Sequence, residues 1–141
     1  MHILMCNDDG ILADGLRRLA SYLSQYYRIT VVAPANEQSA KSHALTTEIP
    51  LKLDAYNGED ENPRLYALTG TPSDCMKFGL SYLLADDMPD LVISGINHGF
   101  NLGSDVLYSG TVSAAMESCF YGIPGLALSV ERYSAERGAE M

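Results

Sequence analysis

The chain has 141 residues, 18 of them acidic and 9 basic for a net charge of −9, and 47% of its side chains are hydrophobic. That is one domain's length of chain, with enough apolar content for a single core. The acidic balance argues against a nucleic-acid polymer as partner, because affinity for a phosphate backbone comes from clustered Lys and Arg. No apolar run approaches the ~20 residues of a membrane span, and no basic leader precedes the first apolar run. No membrane association and a cytoplasmic location are therefore expected. Cys6, Cys75 and Cys119 are odd in number and lack C-x-x-C spacing, which points to neither a disulfide framework nor a zinc site. Cys75 and Cys119 stand at apolar helix positions and are expected to be buried as small hydrophobes.

His2 to Cys6 predicts a short apolar strand ending in the polar turn Asn7-Asp8-Asp9-Gly10. Leu16, Leu19, Ala20 and Leu23 then predict a helix, with Asp14 as its N-cap. Ile29 to Ala33, closed by Pro34, predicts a second strand and completes a βαβ unit with parallel pairing. Ligands of open parallel sheets bind beyond the C-terminal ends of the strands, where Asp8 and Asp9 stand. Two carboxylates in a turn can simply cap the next helix. Side by side, they suit a hard cation that relieves their repulsion. The loop from Ala35 to Thr47 is rich in hydroxyls and amides, and by the same rule Asn36, Ser39, Lys41, Ser42 and His43 are candidates for substrate contact.

Ile49, Leu51, Leu53 and Ala55 alternate with polar or proline positions, the pattern of a strand with one buried face. The charged turn 57–63 and a returning strand from Leu65 to Leu68 make this an extended hairpin attached to the sheet. Thr71 is the expected N-cap and Pro72 the first residue of a helix carrying Cys75, Met76, Gly79, Leu80, Leu83 and Leu84. Asp90 to Ser94 predicts another strand. Gly95, Asn97, Gly99, Asn101, Gly103 and Asp105 then occupy every second position of a long loop, where glycine admits close approach to the main chain and asparagine offers an oxygen ligand. Ser109-Gly110-Thr111 precedes a helix from Val112 to about Tyr121 and places two hydroxyls with free N–H groups at its start, which is phosphate-binding chemistry. Gly125 to Val130 is read as one more buried strand. The whole of 1–141 thus predicts a single α/β domain, a Rossmann-like three-layer fold with a mostly parallel central sheet plus the hairpin.

Three strand ends carry oxygen-bearing residues to one crevice: Asp8 with Asp9, the loop from Asn36 to His43, and the stretch from Asn97 to Thr111. Carboxylate, hydroxyl and amide oxygens without paired histidines or thiolates favour magnesium, manganese or calcium over zinc. Beside a hydroxyl-rich helix start, such an ion suggests phosphoester hydrolysis.

The motifs Asn7-Asp-Asp-Gly10, Ala33-Pro34 with Ser39, Gly70-Thr-Pro-Ser-Asp-Cys75, Ser94-Gly-Ile-Asn-His-Gly-Phe-Asn-Leu-Gly103 and Asp105-Val-Leu-Tyr-Ser-Gly-Thr-Val112, with Ala114, Ala115 and Glu117, together resemble the survival protein SurE family of metal-dependent nucleotidases. The resemblance implies a cytoplasmic phosphatase acting on nucleoside 5′- and 3′-monophosphates with a divalent cation, Mg2+ or Mn2+, and short polyphosphate as a further candidate substrate. By matching position it implies Asp8, Asp9, Ser39 and Asn97 as metal ligands, with Asp8 and Asp9 also catalytic. Asn101, Ser109, Gly110 and Thr111 fall at the phosphate end of the pocket. It further implies a homodimer or homotetramer, assembled through a C-terminal part of the family fold that is missing at this length. The chain departs from the family at Ala40, Ser104 and Ser118. The alternative is a non-catalytic nucleotide- or phosphate-binding module or an inactive truncated form, against which the paired carboxylates stand. A haloacid-dehalogenase-type phosphatase ranks lower, because Asn7 occupies the position of its nucleophilic aspartate. No G-x-G-x-x-G follows the first strand, so no dinucleotide site is expected.

Overall fold

A computed structural model describes residues 1–38 and 44–131 of the chain. In order, it contains β1 (His2–Cys6), α1 (Asp14–Leu23), β2 (Arg28–Pro34), β3 (Leu53–Ala55), β4 (Arg64–Leu68), α2 (Pro72–Phe78), β5 (Leu91–His98), α3 (Gly110–Cys119) and β6 (Gly125–Val130). The strands form one sheet in the order β3-β4-β2-β1-β5-β6. Its neighbours are parallel except for the antiparallel pair β3–β4.

Period-two alternation divides the core between the two faces of this sheet. Leu4, Cys6, Val32, Leu68 and Val92 pack with Cys75, Met76 and Leu80 of the α2 segment and Ala114 of α3. Ile3, Met5, Val31, Ala33 and Ile93 pack with Leu16 and Ala20 of α1. Both faces are covered, which is why β1 reads as an unbroken apolar run and is buried along its whole length. The chain steps from β1 out to β2 and β4, then returns across β1 to β5. That reversal puts a crevice between the C-terminal ends of β1 and β5, the position at which such sheets bind their ligands.

Several elements differ from the sequence-based expectations, each for a local reason. The N-cap of α1 is Ala13 rather than Asp14, because the turn closes with the Ala13 N–H bonded to Gly10 O at 3.1 Å. Asp14 instead sits in the first turn, where its charge favours the helix dipole. Only residues 53–55 of the 49–55 alternation pair as strand. Pro50 cannot donate to a ladder, and Lys52 N bonds the Thr69 side chain at 2.7 Å. The returning limb of the hairpin is an integral strand, since β4 pairs parallel with β2. The second helix is α-helical only to Phe78 and continues as a wider π-type turn over Gly79–Leu83. β5 runs on to His98, with its register shifted between Ser94 and Asn97. A 3-10 turn occupies Gly103–Tyr108 in the expected loop. The last helix starts at Gly110 rather than Val112. β6 is a partly exposed edge strand rather than a buried one, and Cys119 is exposed while Cys75 is buried.

The start of α2 matches its sequence signals. Thr71 Oγ1 accepts from Asp74 N at 3.1 Å and Asp74 Oδ2 accepts from Thr71 N at 2.9 Å, a reciprocal capping box. Asp74 also accepts from Thr46 N at 2.9 Å and from Thr46 Oγ1 at 2.6 Å. Burial works to raise the Asp74 pKa, but the hydrogen bonds from Thr46 and Thr71 outweigh it and hold it below the usual carboxyl value. A carboxylate depressed in the folded state contributes stability above its unfolded pKa, and that contribution is lost as pH falls through the folded value. Thr71→Ala is expected to cost about 1–2 kcal/mol. Asp74→Asn should remove part of the acid sensitivity below the usual carboxyl range, both effects to be read from urea unfolding as a function of pH.

Candidate active site

The first wall of the crevice is the turn after β1. Asn7 is buried and brackets this turn: its Oδ1 accepts from Gly10 N at 3.1 Å and its Nδ2 donates to Gly10 O at 3.0 Å. Gly10 has φ +102°, a conformation open to glycine, which lets Ile11 N reach Pro34 O at 2.8 Å. The backbone of Asp8 is held by a 2.8 Å bond from Gln38 N to Asp8 O. Both carboxylates are thus carried by a turn that is tied to β2.

The second wall is the start of α3. Ser109 is its N-cap, with Ser109 Oγ accepting from Val112 N at 3.2 Å. Thr111 Oγ1 donates to Asp8 Oδ1 at 2.9 Å, and both residues are buried. Gly110 permits this approach. A Cβ there would lie 2.9 Å from Asp8 Cβ and 3.2 Å from Pro72 Cγ, so the starts of α2 and α3 and the end of β1 meet without room for a side chain. The carboxylate of Asp8 therefore stands at a helix N-terminus, where partial positive charge favours an anion.

Asp9 differs from Asp8 in its surroundings. Its Oδ2 is buried without a hydrogen-bond partner. Burial raises its pKa above the usual carboxyl value, the charge of Asp8 and then that of Glu37 add to the rise, and His98 opposes it. Such a group binds its proton more tightly folded than unfolded. It favours the folded chain at low pH, and that advantage disappears as pH rises through the raised value. In the metal-free chain at neutral pH, Asp9→Asn is accordingly expected to raise stability modestly, solvent screening of this partly exposed carboxyl keeping the gain small. Thermal melts in chelator at pH 7 and pH 4 check this: the gain should be present at the higher pH and shrink at the lower.

The structure gathers Asp8, Asp9, Ser109, Gly110 and Thr111 at one place. Asn97 lies on the neighbouring β5 exit, half-buried, with its Nδ2 bonded to Gly99 O at 3.0 Å. The carbonyl oxygen is then the atom of that side chain that could ligate. Asn101 donates to Ser129 Oγ of β6 at 2.9 Å. Ser39, Lys41, Ser42 and His43 lie outside the described residues. Sequence reasoning missed Gln38 as a backbone anchor of Asp8, Pro72 as a neighbour of Gly110, and the electrostatic influence of Glu37 and His98 on Asp9. None of these carries a local motif, since each acts across elements distant in sequence.

Among the described residues, no group of three His, Cys, Asp or Glu side chains converges to hold a metal. A site here would have to be built from two carboxylates completed by neutral oxygens. That fits a hard divalent cation rather than zinc, and the orphaned Asp9 Oδ2 beside Asp8 is a donor lacking its counterpart.

A doubly wound α/β sheet with paired carboxylates and a hydroxyl-capped helix start at its reversal point defines the class: a Rossmann-like protein with an oxygen-lined crevice. Comparison with known proteins refines this. The family model of Survival protein SurE matches residues 3–141. The 5'-nucleotidase SurE of Thermoanaerobacter sp. (strain X514) is 54% identical over 129 residues, covering 92% of this chain and 50% of the relative. The 5'-nucleotidase SurE of Thermosipho africanus (strain TCF52B) is 52% identical over 132 residues, with the same coverage. The crystal structure of the SurE protein from Aquifex aeolicus superposes with a TM-score of 0.80 at 43% identity, over 92% of this chain and 50% of that one. The chain belongs to the SurE family, and it spans about half the length of the curated relatives it matches. Among the described residues, no helix is long and apolar enough to cross a membrane.

Proposed function

We propose that this chain carries the catalytic crevice of a divalent-metal-dependent phosphomonoesterase hydrolysing nucleoside 5′- and 3′-monophosphates, with short polyphosphate as a further candidate substrate. The observation that carries the reading is the Thr111–Asp8 bond at the start of α3, next to the unpartnered Asp9 Oδ2. Its relatives' nucleotidase names support it. Asp8, Asp9, Asn97 and Ser39 are the proposed ligands of Mg2+ or Mn2+. When bound, such an ion polarises a phosphoryl oxygen and lowers the pKa of water.

The chain's own residues account for the rest. Thr111 fixes the Asp8 carboxylate by its hydroxyl, leaving the backbone N–H groups at the start of α3 for phosphate. Ser109 and Gly110 shape that anion site, Ser109 as the cap of α3 and Gly110 by letting the helix start close on Asp8. Asn101 belongs to its outer rim. Asp9 Oδ2 is the atom that orients the attacking water by accepting its hydrogen bond. A phosphoenzyme route through position 7 is disfavoured, because an asparagine amide cannot form an acyl phosphate, and both polar atoms of Asn7 are engaged by Gly10. A homodimer or homotetramer in the cytoplasm belongs to the same reading.

The test is phosphate release from adenosine monophosphate by the chain with manganese, with magnesium and with chelator. Release with either metal and none in chelator is expected. A folded chain that binds adenosine monophosphate without cleaving it would favour the binding-module alternative.

A further inference from the structure

We propose that Asp74 is a positioning residue for the crevice: it clamps the connection between β2 and β3 to the start of α2 and so fixes the supports of Asp8. The assignment rests on the phosphomonoesterase reading above. Helix capping accounts for only part of what this buried carboxylate does. The capping box needs one oxygen, Oδ2, which accepts from Thr71 N at 2.9 Å. The other, Oδ1, accepts from Thr46 N at 2.9 Å, and Oδ2 takes a second bond from Thr46 Oγ1 at 2.6 Å. Thr71 grips the same segment, donating from Oγ1 to Ala44 O at 2.6 Å. The donors that converge on Asp74 suit a carboxylate, which meets all of them with acceptors. Gly70 leaves room for it, since a Cβ there would lie 2.9 Å from Asp74 Cβ.

What the two clamped segments touch gives this its consequence. Earlier in the same connection, Gln38 N bonds Asp8 O at 2.8 Å and holds the Asp8 backbone. At the start of α2, Pro72 abuts Gly110, where a Cβ would lie 3.2 Å from Pro72 Cγ and 2.9 Å from Asp8 Cβ. Thr111, next along α3, holds the Asp8 carboxylate at 2.9 Å. The contacts close a ring. It runs from Asp8 to Gln38, by the chain itself to Thr46, through Asp74 to Thr71 and Pro72, across to Gly110 and Thr111, and back to Asp8. Asp74 is the link that joins connection to helix. Groups that brace a ligating side chain from outside in this way tune metal affinity without touching the metal.

The test reads Mn2+ binding directly, by the electron paramagnetic resonance signal of the free ion, and amide hydrogen exchange in chelator; neither depends on turnover. Thr46→Val removes one bond of the clamp and leaves the capping box intact. Asp74→Asn turns one end of the side chain into a donor facing donors. Each is expected to weaken Mn2+ binding about tenfold, the lower end of the effect of outer partners on metal affinity, and to speed exchange of the Gln38 amide several-fold. Thr30→Val is the control. It loses the hydroxyl bonded to His2 Nε2 at 2.9 Å, toward the opposite end of the sheet, and should melt lower yet keep both readouts at their wild-type values. Unchanged Mn2+ affinity or unchanged Gln38 exchange in Thr46→Val, or an equal loss in Thr30→Val, would overturn the assignment and leave Asp74 a helix cap. A wild-type chain that binds no Mn2+ would instead sink the metal-dependent reading. The clamp is then decided by Gln38 exchange alone, supported by acceleration in Thr46→Val and refuted by none.

Discussion

Asp8→Asn is expected to lower metal-dependent phosphate release from adenosine monophosphate by on the order of 10³-fold, the scale at which a principal electrostatic group of a site is lost, while the chain still folds. The fold should survive because the structural duties of Asp8 do not need its charge. An asparagine Oδ1 can still accept from Thr111, which now bonds Asp8 at 2.9 Å. The backbone bond from Gln38 to Asp8 O is unaffected. What disappears is one negative charge beside Asp9, the pair that a divalent cation would neutralise. Thr111→Val separates positioning from charge: it removes the hydroxyl that orients the carboxylate but keeps both charges, and the expected loss is smaller, about 10–100-fold. Steady-state rates in manganese with matched thermal melts decide the matter. An Asp8→Asn chain that melts normally and retains its rate within about tenfold would remove Asp8 from the chemistry, and with it the mechanism proposed above.

Which parts of this site were legible in the sequence follows from how local each interaction is. Asp8 and Asp9 could be placed because an apolar run followed by Asn-Asp-Asp-Gly marks a strand end, and strand ends face the crevice. Thr71 and Pro72 could be placed because a threonine cap followed by proline at the first helical position is a signal of adjacent residues. The bond that organises the site, Thr111 to Asp8, spans 103 residues and leaves no periodic trace. The sequence predicts Ser109 and Thr111 as two hydroxyls at a phosphate-binding helix start. In the structure, the first caps the helix and the second is committed to Asp8. The run of alternating Gly and Asn after Ser94 reads as a loop, because those residues disfavour strands. β5 nevertheless continues through it to His98, as tertiary pairing with β6 overrides propensity. The apolar sequence of β6 predicts burial, yet burial at a sheet edge depends on what packs outside it, which no single strand encodes.

The continuation of β5 makes Gly95 the position where one methyl group should do the greatest damage to stability. Gly95 is buried with φ +133°, a conformation L side chains rarely adopt. A Cβ there would fall 2.4 Å from Leu128 O and 3.1 Å from Leu128 Cβ. The clash is with the backbone of β6, so no rotamer change relieves it. The register between β5 and β6 shifts within this stretch, from the Ser94–Ala127 pair to the Asn97–Ser129 pair. Forcing the strands apart would therefore also misplace Asn97. Backbone strain alone costs about 1–3 kcal/mol; with the clash added, Gly95→Ala is expected to cost at least about 3 kcal/mol, a large share of the roughly 5–15 kcal/mol by which domains are stable. Gly99→Ala is the control. Gly99 also has positive φ, +95°, but no atom lies within 4 Å of its missing Cβ, so only the strain remains, about 1 kcal/mol. Urea unfolding of both variants measures the difference. Equal costs would mean that the approach of β6 to Gly95 is not what requires glycine there. A markedly larger cost at Gly95 would show that this contact sets the phase of β5, and with it the position of Asn97 two residues on.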